Sequence, residues 1–308
     1  MSQVVLVGAT GFLGRNVLDA LAAAGRDVVA VSASGARPPG ARVGLTLDQL
    51  EGYQGLSGEA VLVNVAARRY DARTFAAEQD LILSQNLALV QRVYDICARR
   101  GLREIRQASS VAVYPADRPL LSDEHPLDLN EPPHPGEAFY GWSKRWGEIL
   151  ADLHHQRHGA ATVSFRITNP FGPYDTLDVG AAHVATAFIL RALAPGEEFV
   201  LRGGHVERDF IYAGDVAAAI LATLDWRRRQ ETYNLGRGEN TTLAELARAV
   251  LAAAGSDKRI VTDAAPASGP AARRITADRL RAEIPVAWRS LDEGLALTLK
   301  WYRRALSS

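Results

Sequence analysis

The chain has 308 residues, 47% of them hydrophobic and 23% charged. That is ample for a buried core and too polar on average for a membrane-spanning protein. Its 35 Lys and Arg balance 35 Asp and Glu, which argues against a nucleic-acid or other polyanion partner held by a global field. The length points to two domains, or to one large α/β unit with a smaller appendage. The single cysteine, Cys97, rules out an internal disulfide and a thiolate metal cluster and fits a reducing compartment. Met1-Ser2-Gln3 leads directly into Val4-Val5-Leu6-Val7 without a basic or long apolar leader, so the expected location is cytoplasmic, away from any membrane.

In chain order, a strand over Val4 to Val7 runs into Gly8-Ala9-Thr10-Gly11-Phe12-Leu13-Gly14 and then a helix over Leu13 to Ala24. Glycines at that spacing permit a tight turn, let backbone N–H groups approach a pyrophosphate at the positive end of the helix, and allow close helix-to-strand packing. A dinucleotide site is therefore expected at Gly8, Thr10, Gly11, Phe12, Leu13 and Gly14. The next strand, Val28 to Ser32, ends in Ser32-Ala33-Ser34-Gly35-Ala36-Arg37 without the acid that would accept from ribose hydroxyls. Ser32 and Arg37 suit a 2′-phosphate instead, so NADP(H) is favoured over NAD(H). The competing reading of Arg37 is a solvated loop before Pro38-Pro39.

Further strands are expected at Val61 to Val65, Glu104 to Ala108 and Thr162 to Ile167, with helices over Leu81 to Arg99 and Tyr140 to His154. This alternation predicts the α/β class: a doubly wound parallel sheet of Rossmann type with a smaller mixed C-terminal substrate lobe. We place the dinucleotide-binding domain at residues 1–170, with a return segment near 205–235, and the substrate lobe mainly at 171–308. The Ala-, Pro-, Ser- and Gly-rich stretch from Ala264 to Ala272 reads as a surface loop.

Tyr140 and Lys144 stand four residues apart at a helix start, so phenol and ammonium share one face. A nearby cation favours tyrosinate, which equips the phenol to exchange a proton with a sugar or ketone oxygen. Ser109 and Ser110 end the preceding strand, where loop residues face the cofactor crevice.

Together with Asn64 to Ala67, Asn86, Tyr114, Arg166 to Pro173, Arg208 to Tyr212, Tyr233 to Gly236 and Trp301-Tyr302, these motifs resemble the extended short-chain dehydrogenase/reductase family of nucleotide-sugar epimerases, dehydratases and reductases. The resemblance spans almost the whole chain. It implies that Tyr140 is the acid/base, that Lys144 is its partner and a ribose ligand, and that Ser110, four residues before Tyr114, positions the reacting oxygen. It also implies that Ala66, Ala67, Asn86 and Thr168 meet the cofactor and that Asn169 and Arg208 face a nucleotide-sugar. The alternative for Arg208 is a salt bridge to Asp209 or Asp215. A homodimer through the two long helices is expected by analogy.

Within the family the chain is most similar in look to the GDP-fucose synthase-like 4-ketoreductases, through Tyr114-Pro115, Thr168 to Asp175, and His183-Val184 followed by Arg191. In that branch His183 and Arg191 would both face substrate. The branch pairs such a histidine with a cysteine, whose place here is taken by Ala112, a residue unable to carry a proton. His183 is thus read three ways: single acid/base, substrate ligand, or helix-start histidine. Asn64 stands where the family usually has histidine, and Arg68-Arg69-Tyr70 form either a phosphate-touching rim or a solvated turn. His154, His155 and His158 read as surface histidines, because no third metal ligand accompanies the i to i+4 pair. The expected activity is reduction of a nucleotide-linked 4-keto-6-deoxyhexose. The alternatives are a 4-epimerase with retained NAD⁺ and a dinucleotide-binding sensor without turnover.

Overall fold

A computed structural model describes residues 2–68, 77–116, 118–263 and 272–307. Arg69, Tyr70 and nearly all of the Ala264 to Ala272 stretch lie outside the described residues.

The first half alternates strand and helix: β1 (Val4–Val7), α1 (Phe12–Ala23), β2 (Val28–Val31), β3 (Val43–Leu45), α2 (Leu47–Gly52), β4 (Val61–Asn64), α3 (Gln79–Arg100), β5 (Glu104–Ser110), α4 (Ala138–His158) and β6 (Ala161–Ile167). A single 3₁₀ turn, Val111–Val113, follows β5. Then come β7 (Asn169–Phe171), α5 (Val184–Leu193), β8 (Glu198–Arg202), β9 (Glu207–Tyr212), α6 (Ala213–Ala222), β10 (Glu231–Leu235), β11 (Asn240–Thr242), α7 (Leu243–Ala254), β12 (Arg259–Asp263), α8 (Asp278–Glu283) and α9 (Leu291–Leu306).

The main sheet has strand order β10-β6-β5-β4-β1-β2-β3, and every pairing in it is parallel. Its central strands are buried along their whole length, as runs of Val, Leu and Ala require when both faces are covered. Alternation then divides the core. Val4, Leu6, Val28, Ala30, Val61 and Val63 pack against α1, α6 and α8. Val5, Val7, Val29, Val31 and Leu62 pack against α2, α3 and α4 on the opposite face. The chain comes back to this layer after β9, with α6 lying on α1 and β10 extending the sheet beyond β6.

A second apolar core joins Phe171, α5, β8, Phe210, α7 and α9. Around it lie a three-stranded sheet, β11-β9-β7, and a two-stranded one, β12-β8. Strand order reverses on either side of β1, so the crevice beyond the carboxyl ends of β1 and β4 is where such sheets bind ligands. The second core faces that crevice through β7 and the start of α5. Among the described residues no helix is long and apolar enough to cross a membrane.

Candidate active site

The turn after β1 is shaped by two glycines. Gly8 adopts a positive φ of 90°, and a Cβ there would stand 2.8 Å from the Ala66 nitrogen. A Cβ on Gly14 would stand 1.9 Å from the Gly8 carbonyl oxygen. Only glycine lets α1 begin this close to β1 and lets the β4 loop close over the turn. The N-terminus of α1 carries no side-chain cap and no acid in its first turn, so its N–H groups and dipole are left for an anion.

This turn forms one wall of a cavity of about 1160 Å³, larger than the ~300–1,000 Å³ typical of a single small-molecule site. Gly8, Thr10, Gly11, Phe12, Leu13 and Gly14 line it together with Ser32, Ala66 and Ala67. Ser110, Tyr140, Lys144, Thr168, Asn169 and His183 line it as well. Elements far apart in sequence thus bring a glycine cradle and the side chains of Ser110, Tyr140, Lys144 and His183 to one space. A glycine cradle at an uncapped helix start fits a dinucleotide diphosphate.

Lys144 Nζ donates to the Ala108 carbonyl at 3.0 Å and lies 5.7 Å from the Tyr140 ring centroid. Burial of the ammonium lowers its pKa to about 8, against an opposing pull from Glu148. Of the paired serines, Ser109 donates to Glu148 Oε1 at 2.6 Å. Ser110 Oγ accepts from the Ala112 N–H at 3.2 Å and keeps its own O–H for a partner in the cavity. Thr168 Oγ1 is 3.4 Å from Asp209 Oδ1, and Asn169 Nδ2 donates to the Asp209 carbonyl.

His183 precedes α5, with Nδ1 3.0 Å from Asp175 Oδ1 and its own N–H on Asp175 Oδ2. Its ring tilts against Phe12 at 5.6 Å. Asp175 is buried, and its carboxylate fixes the orientation of a ring that also stands at a helix start. That partner lies in the Gly172 to Asp175 loop, eight residues earlier, where spacing alone does not identify it.

Other expected site residues stand apart from the lining. Asn86 is buried and accepts from the Arg68 N–H at 2.8 Å, which fixes the backbone after β4 without touching the cavity. Arg37 is exposed beyond the lining; Arg92, paired with Asp48, lines the Ser32 end instead. Arg191 lies over Phe188 and Phe199 and donates to the Ala187 and Val200 carbonyls. Arg208 donates to the Glu207 carbonyl, and burial, with Arg273 nearby, lowers its pKa to about 10. It pairs with neither expected acid: Asp209 accepts from the Arg237 and Gly238 N–H groups, and Asp215 holds Arg289.

Asn64 accepts from the Ala66 N–H at 3.2 Å, and Ala112 is buried. His154 is a correction to the reading of three surface histidines. It is buried, between Tyr94 at 4.9 Å and His158 at 5.0 Å, because α3 packs along α4 at that turn. Among the described residues no group of three or more His, Cys, Asp and Glu could hold a metal ion.

A doubly wound sheet with a glycine turn at its switch point, facing Ser, Tyr and Lys across one cavity, defines a dinucleotide-dependent enzyme of Rossmann type. The sequence model of the NAD dependent epimerase/dehydratase family matches residues 4–236, and the chain belongs to that family. It is 27% identical over 315 residues to a dTDP-4-dehydro-6-deoxy-D-allose reductase of Streptomyces sp, covering 97% of this chain and 96% of the relative. It is 29% identical over 220 residues to a GDP-L-fucose synthase of Sinorhizobium fredii, 69% of each chain. Among solved structures, a UDP-glucose 4-epimerase of Thermus thermophilus in complex with NAD superposes with a TM-score of 0.79 at 25% identity, covering 98% of this chain and 99% of the other.

Proposed function

We propose that the protein reduces a nucleotide-linked 4-keto-6-deoxyhexose with NADPH. The observation that carries this reading is the convergence of Ser110, Tyr140 and Lys144 on the cavity that the glycine turn opens. The full-length likeness to a 4-dehydro-6-deoxyhexose reductase supports the substrate class. When bound, the reduced nicotinamide supplies hydride. Tyr140 donates its phenolic proton to the C4 oxygen as that carbon accepts the hydride and the C=O π electrons move onto oxygen. Ser110 holds the same oxygen by its O–H, and Lys144 stabilises the tyrosinate left behind. Asn169 and His183 orient the sugar, and Arg208, which stands outside the lining, is assigned to the nucleotide diphosphate, a role suited to a guanidinium fork.

Preference for NADPH rests on the Ser32 end of the cavity. No acid stands at the end of β2, and the acid lining that end of the cavity, Asp48, is neutralised by Arg92. With Ala112 buried and unable to transfer a proton, we assign reduction without the two-centre epimerisation that a Cys-His pair supports. We further propose a homodimer through α3 and α4, because Phe139, Trp142 and Leu153 leave large apolar side chains exposed along α4.

The decisive experiment follows NADPH oxidation with dTDP- and GDP-linked 4-dehydro-6-deoxyhexoses and examines the product made in D₂O. Reduction without deuterium at carbons 3 and 5 is expected. Purified protein carrying stoichiometric NAD⁺ and interconverting UDP-hexoses would establish the second reading, a 4-epimerase, which the likeness to the Thermus enzyme favours.

A further inference from the structure

A buried polar chain runs behind the site. On α4, Tyr140, Lys144 and Glu148 follow one another at four-residue steps and so share a face. Two of them grip successive residues at the end of β5: Lys144 Nζ holds the Ala108 carbonyl at 3.0 Å, and Glu148 Oε1 accepts from Ser109 Oγ at 2.6 Å. Ser110, the next residue, is the one left to face the reacting oxygen. Strand side chains alternate, so a fixed Ser109 dictates the direction of Ser110.

Glu148 is itself held from β6. Arg166, directly opposite Ser109 in the parallel ladder, donates through Nε to Oε1 at 3.0 Å and through its terminal nitrogen to Oε2 at 2.7 Å. Both side chains are nearly inaccessible, at 5% and 12%. Arg166 also donates to Tyr114 Oη at 3.0 Å, and Tyr114 donates on to Asn234 Oδ1 at 2.8 Å. Burial alone would favour loss of the Arg166 charge, but Glu148 outweighs it and keeps the guanidinium protonated.

We propose that Glu148 is a positioning residue of this active site: it locks the end of β5 against α4, so fixing Ser110 relative to Tyr140, and it provides the negative charge that faces Lys144. The proposal rests on the assignment of Ser110, Tyr140 and Lys144 given above. The charged and titratable groups around Glu148 are Arg166 from β6, Tyr114 from the segment after β5, Tyr94 from α3, and Lys144 and Arg145 on its own helix. Glu148 stands one helical turn beyond Lys144, and its charge favours the ammonium against the effect of burial.

The chain has three lysines, Lys144, Lys258 and Lys300, which makes the test direct. Trace acetylation of the whole protein across pH 6 to 11, quantified by mass spectrometry, reads the titration of Lys144 with exposed Lys300 as internal standard. In Glu148→Gln the midpoint for Lys144 is expected to fall by about one pH unit, the effect of removing one nearby opposite charge, while Lys300 is unchanged. Removing one partner of a buried ion pair endangers folding, so Glu148→Gln/Arg166→Met, which removes both charges, is measured alongside; loss of the Arg166 cation offsets part of the effect, so its fall should be the smaller of the two. Ser109→Ala should leave the Lys144 midpoint in place. With an accepted ketosugar, turnover of the Glu148 variants should fall up to ~100-fold with KM nearly unchanged, the signature of misplaced reacting groups.

Lys144 titrating as in the wild type in folded Glu148 variants overturns the proposal. A wild type that turns over no ketosugar while the Lys144 shift persists leaves the role of Glu148 standing and rejects the substrate assignment alone.

Discussion

Gly11 and Gly14 stand three residues apart in one turn, yet their replacement by alanine should give opposite results. Gly14→Ala places a Cβ 1.9 Å from the Gly8 oxygen and 2.6 Å from the Gly8 carbonyl carbon. Both obstacles are backbone, so α1 must retreat by more than about 1 Å, with an overpacking cost of ~3 kcal/mol. At ~2–4 °C per kcal/mol for a protein of this size, Tm falls by about 6–12 °C. At Gly11 a Cβ meets only the Gly8 oxygen at 3.4 Å, an ordinary contact, and the backbone has φ −81°, open to any residue. The fold should tolerate Gly11→Ala, which gains up to ~0.4–1 kcal/mol from the stiffer unfolded chain. The methyl group nevertheless lies where a diphosphate must approach the backbone. Losing one or two charge-assisted hydrogen bonds at ~1.5–3 kcal/mol raises Kd about 10- to 100-fold or more. The assay is thermal unfolding with and without NADP⁺ at ~100 times the wild-type Kd, where ligand stabilises the wild type by ~2.7 kcal/mol. Gly11→Ala should keep the ligand-free Tm and lose most of the ligand-induced rise. A Gly11→Ala protein that binds NADP⁺ as tightly as wild type would refute the placement of the diphosphate at this turn.

Tyr140→Phe removes the proton donor and should lower turnover by ~10²–10⁴-fold with NADP⁺ affinity nearly unchanged, measured by steady-state kinetics and by fluorescence titration. Lys144→Met should stabilise the ligand-free protein. A folded-state pKa of about 8 against 10.5 is a penalty of roughly 3 kcal/mol, from which the lost bond to the Ala108 carbonyl subtracts about 1. That penalty is full below pH 8 and fades as pH rises towards 10.5, so denaturant titration should show a gain of about 2 kcal/mol at pH 7 and none near pH 10.5; a Lys144→Met protein less stable at pH 7 contradicts it. Cys97 is buried, which pushes its thiol up to about 12, so a thiol reagent at pH 8 should titrate it only after denaturation. Leu153→Glu, on an exposed position of α4, should convert the proposed dimer to monomer in sedimentation analysis without lowering Tm by more than a few degrees.

The reach of the sequence differs from element to element, and the differences have physical causes. The parallel sheet and the glycine turn were legible because each is specified locally: unbroken apolar runs demand two covered faces, and glycine spacing demands close backbone contact. Tyr140 and Lys144 were legible together because helix geometry converts a four-residue interval into a shared face. The same rule reaches Glu148, one further step along that face, but its value as a partner depends on Arg166 and Ser109 standing side by side in neighbouring strands, a register no interval in sequence reveals. Arg191 shows the converse. Eight residues beyond His183 means a rotation of ~80° and a rise of ~12 Å along a helix, which carries the guanidinium off the cavity and onto Phe188 and Phe199. Asn86 sits inside α3, and burial turned it from a candidate ligand into the hydrogen-bond acceptor that fixes the Arg68 backbone. Intervals in sequence therefore locate chemistry within one helix or turn. Between elements, it is strand register and burial that decide which polar side chains face the cavity and which hold those that do.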